Sequence, residues 1–170
     1  MDLTRFIRDV PDFPKPGILF KDITPLLRDA GALRDCTDQL AARLEGKPLD
    51  AIAGIESRGF LFAATLAVRL NVGLVPLRKP NKLPYRRVRE EYALEYGHDA
   101  LEMHADAVEP GQRIALVDDL LATGGTMSAG RRLVERVGGK VVTCLFVIEL
   151  TFLGGRAKLA GVPVESLLSY

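Results

Sequence analysis

Residues 114–127 read Ile-Ala-Leu-Val-Asp-Asp-Leu-Leu-Ala-Thr-Gly-Gly-Thr-Met. Two adjacent carboxylates, Asp118 and Asp119, close an apolar run, and a turn of small residues follows. Backbone N–H groups at a helix start bind anions, and the helix dipole adds to the attraction. Gly124 and Gly125 allow the main chain to approach a ligand closely. Thr123 and Thr126 offer hydroxyls to a phosphate and can also cap the helix. Residues 122–126, beginning at Ala122, therefore suit one phosphate group. The two acids just before them cannot bind phosphate, but they accept hydrogen bonds from vicinal hydroxyls. Together the segment asks for a sugar phosphate with free hydroxyls. It carries neither the Gly-Lys-Ser/Thr of a Walker loop nor the dinucleotide fingerprint.

Such a loop must be held by the end of a strand and the start of a helix. Residues 51–55, 73–77, 114–117 and 141–150 are apolar runs that read as strands. Residues 32–44, 60–70 and 126–137 show helical spacing. Apolar strands alternating with helices predict an α/β fold, a doubly wound and mostly parallel sheet flanked by helices. Ligands of such sheets sit at the carboxyl ends of the strands. Residues 2–9 suit a short amphipathic helix ended by Pro11, and residues 18–23 a short strand. Residues 79–97 break the pattern, with Pro80, Pro84 and a cluster of charges. They read as an irregular segment with little to bury, a mobile lid over the site. Arg86, Arg87 and Arg89 at its tip read as solvated, or as weak attractors of a polyanion.

With 170 residues the chain makes one domain, and 48% apolar with 26% charged residues is ordinary for a soluble globular protein. A net charge of +1 supplies no global field for nucleic acid or a membrane surface, so neither is expected as a partner. The N-terminal stretch carries Asp2, Arg5, Arg8 and Asp9, unlike a secretory leader. No apolar stretch is long enough for a membrane helix. The two cysteines, Cys36 and Cys144, read as packing residues in a reducing compartment. The expected location is the cytoplasm.

The run Val-Asp-Asp-Leu-Leu-Ala-Thr-Gly-Gly-Thr closely resembles the phosphoribosyl pyrophosphate signature of type I phosphoribosyltransferases. Residues 13–27 resemble the base-recognition hood of the adenine-using branch of that family. Residues 54–62 (Gly-Ile-Glu-Ser-Arg-Gly-Phe-Leu-Phe) resemble its pyrophosphate loop. Residues 78–84 and 92–97 resemble the two margins of its flexible catalytic loop. The resemblance spans most of the chain, in the expected order, and implies the type I fold with residues 1–30 as N-terminal arm and hood.

The resemblance implies roles residue by residue. Asp118 and Asp119 would hold the ribose 2′- and 3′-hydroxyls, and Ala122, Thr123, Gly124, Gly125 and Thr126 the 5′-phosphate. Glu56, Ser57 and Arg58 would face pyrophosphate, with a non-proline cis peptide near Glu56–Ser57. Arg58 would also stabilise the leaving group, as would Arg78, Lys79 and Lys82, which in related dimers can come from the neighbouring subunit. Leu19 would pack on adenine and the Phe20 backbone would read its edge. Lys21 stands where the family commonly has arginine, and lysine lacks that planar fork. Glu95 would manage the proton that adenine loses, and Tyr96 would cover the closed site. The implied reaction joins adenine to phosphoribosyl pyrophosphate, giving AMP and pyrophosphate, in a homodimer. Magnesium would arrive with the substrate rather than in a protein cage. Two rival readings remain: a phosphoribosyltransferase for another base, and a non-catalytic sensor of phosphoribosyl pyrophosphate.

Overall fold

The computed structural model describes residues 1–93 and 97–170. The chain opens with a 3-10 turn at Leu3–Phe6, capped by Asp2, which accepts from the Thr4 amide at 3.0 Å. The helix expected over residues 2–9 goes no further. Arg8–Pro11 is instead a strand, β1, paired antiparallel with β2 (Leu19–Asp22). Arg8 reaches across this pair to Asp22 at 2.6 Å, a contact between distant residues that a local helical pattern does not register. Then come α1 (Thr24–Arg28) and α2 (Ala30–Ala42). Asp29 caps α2 by accepting from the Ala32 amide at 2.8 Å.

The remaining elements are β3 (Ala51–Ile55), α3 (Gly59–Leu70), β4 (Gly73–Leu77), β5 (Arg87–Ala93), β6 (His98–His104), β7 (Arg113–Leu121), α4 (Gly125–Arg136), β8 (Lys140–Glu149) and β9 (Val164–Ser169). Five strands form a parallel sheet in the order β4-β3-β7-β8-β9. Side chains alternate along each strand, so one strand feeds two cores. On β7, Ile114 and Leu116 join Leu133, Cys144 and Phe146, on the face covered by α4. Ala115 and Val117 join Leu40, Phe62 and Leu66, on the face covered by α2 and α3. This is the doubly wound α/β arrangement expected from the alternating runs. The strand order reverses between β3 and β7, and α/β sheets bind ligands at such a switch point. Cys36 and Cys144 are buried, free and on opposite faces, and burial pushes both thiols up to about 12.

Within residues 79–97, one stretch departs from the irregular segment expected. Arg87–Ala93 is a regular strand, β5, paired with β6 over seven registered residues. Its inward positions are Val88, Glu90 and Tyr92. Tyr92 is only 6% exposed, and Glu90 meets Arg132 of α4 at 2.6 Å. A charged residue thus occupies an inward position, which hides the period-two pattern. Arg87 and Arg89 are not simply solvated either. Their guanidinium groups lie 3.1 and 3.8 Å from Glu102, a carboxylate 1% exposed on β6.

Candidate functional site

β7 carries the acid pair near its end, runs on through Leu120 and Leu121, and turns through Ala122, Thr123 and Gly124 into α4. Gly124 takes φ of 78°, a left-handed conformation that costs glycine little. Among the described residues no side chain caps α4, so neither threonine does so, and the amides of its first turn are left for a ligand. Residues Asp118 and Leu120–Met127 line a cavity of about 80 Å³ over those amides, closed by Phe146. The loop is wedged from behind. A Cβ on Gly124 would lie 2.3 Å from the Gly155 carbonyl oxygen, and a Cβ on Gly155 would lie 2.3 Å from that of Ala122. The two backbones touch where no side chain fits.

Asp118 and Asp119 stand together at the switch point. Asp119 is 4% exposed, and its carboxylate is met by Arg58 Nε at 3.0 Å. Asp118 Oδ1 accepts from the Asp119 amide at 2.9 Å. A Cβ on Gly59 would come within 2.9 Å of that same oxygen, so the bare start of α3 makes room for it. Burial, and then the Asp119 charge, push Asp118 well above the usual carboxylate range. Burial raises Asp119 as well, against the lowering by Arg58. Burial thus works against the charge of both acids.

A second cavity, of about 280 Å³, adjoins the first. It is lined by Ser57, Arg58, Lys79, Asp118, Asp119 and Thr126, among others. The Glu56–Ser57 peptide is cis, as expected. Glu56 also lines this cavity, but it works as an acceptor that gathers cations, not as a ligand for an anion. It takes Lys79 N–H at 2.9 Å, Arg78 Nε at 3.3 Å and Lys82 Nζ at 2.5 Å. Burial works to raise its pKa, and these bonds, led by that from Lys82, bring it below the usual value. Arg78, Lys79 and Lys82 are thus assembled by one carboxylate, and of the three only Lys79 lines the cavity.

The expected hood contains the β1–β2 hairpin. Phe20 stacks edge-on to Phe13 at 5.1 Å, and the Arg58 guanidinium lies 5.2 Å from the Phe20 ring centre. β2 has no strand partner on its other edge among the described residues, which leaves backbone groups there for a ligand. Leu19 is exposed beside them. Lys21 points elsewhere: its ammonium pairs with Asp9 at 2.6 Å and lies 3.8 Å over the Tyr170 ring. Glu95 and Tyr96 lie outside the described residues.

Sequence reasoning missed Gly155, Tyr92, Asp99 and Glu102. Gly155 had a faint signal in the Gly154–Gly155 pair. The other three are recognisable only once β5 and β6 are paired.

Residues 26–159 match the phosphoribosyl transferase domain family. A protein of Roseiflexus sp. (strain RS-1), named adenine phosphoribosyltransferase, is 56% identical over 99% of this chain and 98% of its own length. The crystal structure of adenine phosphoribosyltransferase from Thermoanaerobacter pseudethanolicus superposes with a TM-score of 0.97, at 56% identity, over 99% of this chain and 98% of that one. The Saccharomyces cerevisiae enzyme, solved with adenine and an imino-altritol bisphosphate, gives a TM-score of 0.93 at 40% identity over 98% and 97%. With an unsupported helix start, an acid pair at the switch point and full-length likeness of this degree, the chain belongs to the adenine phosphoribosyltransferase family.

Proposed function

We propose that this site transfers the 5-phosphoribosyl group from phosphoribosyl pyrophosphate to adenine, releasing pyrophosphate and forming AMP. The observation that carries the reading is the juxtaposition of the Asp118–Asp119 pair with the uncapped start of α4. The 5′-phosphate would take the amides and hydroxyls of Ala122–Thr126, and the ribose hydroxyls would donate to the two acids. Arriving donors stabilise the ionised carboxylates that burial disfavours.

Attack on the anomeric carbon proceeds with inversion, the bond to pyrophosphate breaking as the bond to the base forms. Arg58 and Lys79 line the cavity where the leaving charge develops, and Arg78 and Lys82 stand behind Lys79 on Glu56. Magnesium, carried in by the substrate, would add positive charge at the ribose hydroxyls and pyrophosphate. The open cavity beside the two acids leaves room for such a chelate, so the residues fit it. Phe20 would read adenine through its backbone, since a fixed donor and acceptor tell an amine from an oxo group. Lys21, held by Asp9 and Tyr170, would act by fixing the hairpin. Glu95 and Tyr96 keep the base-side roles that the resemblance implies.

The same reading makes the protein a cytoplasmic homodimer. Two free buried thiols suit a reducing compartment, and no helix among the described residues is long and apolar enough to cross a membrane. Val68 on α3 is 84% exposed, and Leu61 and Leu74 nearby are also open, an apolar face that a second copy would cover.

AMP formation with adenine, phosphoribosyl pyrophosphate and magnesium tests the reading, with hypoxanthine, guanine and uracil in parallel. Product overwhelmingly with adenine is expected. Product with another base overturns the hood assignment. Binding of phosphoribosyl pyrophosphate without product from any base makes the protein a sensor.

A further inference from the structure

Tyr92 joins two parts of the site that are far apart in sequence. Its ring lies against Gly125 in the first turn of α4, where a Cβ on that glycine would approach the ring to 3.4 Å. Its hydroxyl accepts from Lys79 Nζ at 2.8 Å and donates to Asp99 Oδ2 at 3.0 Å. Lys79 Nζ also pairs directly with Asp99 Oδ2. Tyr92 and Asp99 are cross-strand partners in the β5–β6 ladder, so the backbone register fixes their spacing. At its other end Lys79 is pinned through its N–H to Glu56.

Asp99 does not line the cavity that Lys79 lines. Its route to the site runs through that lysine. We propose that Asp99, with the Tyr92 hydroxyl, is a positioning residue that holds the Lys79 ammonium at the wall of the pyrophosphate cavity before substrate arrives. The proposal rests on Lys79 facing pyrophosphate. A free lysine side chain carries rotamer entropy, which binding must remove. Restraining it beforehand lowers that cost, the usual benefit of preorganisation. Burial favours a neutral Lys79 and a neutral Asp99, but their mutual bond and that of Tyr92 more than reverse it. Net, the lysine is raised and the aspartate lowered, so both are charged near neutral pH.

The test is a double-mutant cycle on the full chain, read by steady-state kinetics. Lys79→Ala should raise KM for phosphoribosyl pyrophosphate about tenfold. Asp99→Asn should raise it about fivefold, with kcat within about twofold and KM for adenine unmoved. Asp99→Glu should recover part of the loss. In the Lys79→Ala background, Asp99→Asn should add less than about twofold, since the two act as one unit. Tyr92→Phe keeps the ring on Gly125 and removes only the hydroxyl; a rise of about threefold is expected, and this variant carries the test if Asp99→Asn does not fold. An unchanged or lowered KM in Asp99→Asn overturns the proposal, as does an equal effect with and without Lys79. A silent Lys79→Ala overturns instead the pyrophosphate reading of Lys79, and the proposal falls with it.

Discussion

The two halves of the site are built by different means. The phosphate side, where β7 turns into α4, is made of backbone in close contact: Gly124 against Gly155, and Gly155 against Ala122. The proposed pyrophosphate side is made of groups gathered by carboxylates: Glu56 with the Arg78 and Lys82 cations and the Lys79 amide, and Asp99 with the Lys79 ammonium. Contact between backbones is all or none, because interiors are close-packed and a new methyl group has nowhere to go. Charge pairs with half-exposed cations are graded, because solvent screens them and long side chains adjust. Substitutions on the first side should therefore abolish the site or unfold the loop. Substitutions on the second should shift apparent affinity.

The largest effect belongs between the two halves, at the acid pair. Asp118→Asn should lower kcat/KM for phosphoribosyl pyrophosphate about a hundred- to a thousandfold, measured by AMP formation. The same variant should be more stable than the parent. The folded-state pKa of Asp118 is raised, so the stability it has in the protonated form is lost as pH rises through that value. An asparagine avoids this loss. At pH 8 thermal unfolding should show a gain of about 1 kcal/mol, and the gain should vanish as pH falls below about 4. A variant that is inactive but not stabilised would break the link between site charge and fold stability.

Next in size is Gly155→Ala. A Cβ placed 2.3 Å from the Ala122 carbonyl oxygen must displace the loop. We expect a loss of about 2–3 kcal/mol in denaturant unfolding, with activity falling more steeply than at any single cation of the pyrophosphate side. Near-parental activity would mean that the phosphate side adjusts after all.

The smallest effect is expected at Glu90→Gln. Glu90 holds Arg132 at 2.6 Å and Arg136 at 2.5 Å, and both arginines are about half exposed. The loss should be about 1 kcal/mol or less and should shrink in 1 M salt. A larger, salt-insensitive loss would place the hairpin among the all-or-none contacts.

The same contrast decides what could be read from the amino acids. The phosphate side is legible because its chemistry lies in consecutive residues: Asp118 and Asp119, then Thr123 to Thr126. The strands β3, β7 and β8 are legible because their central residues are apolar and buried on both faces, and β4 because its run is apolar even though Leu74 is exposed at the sheet edge. β5 is hidden because an inward position holds Glu90, whose partners lie 42 and 46 residues away on α4. β9 is hidden because Val164–Ser169 is half-buried along most of its length and mixes polar with apolar residues. The N-terminal strand is hidden because a 3-10 turn at Leu3–Phe6 imitates the start of a longer helix. Gly155 is the hardest case. It acts through the absence of a side chain against a carbonyl 33 residues earlier, and the Gly154–Gly155 pair marks a turn without pointing to that contact.

Arg58 lies 3.0 Å from the Asp119 carboxylate and 5.2 Å from the centre of the Phe20 ring. One guanidinium therefore faces both the acid pair and the hairpin ring, the proposed ribose and base ends. A ligand that changes its pairing at one end changes the environment offered at the other, and thermodynamic linkage makes that influence equal in both directions. Occupancy of the hood and occupancy of the acid pair are then not independent events. Whatever factor the sugar phosphate applies to the affinity for the base, the base returns to the sugar phosphate.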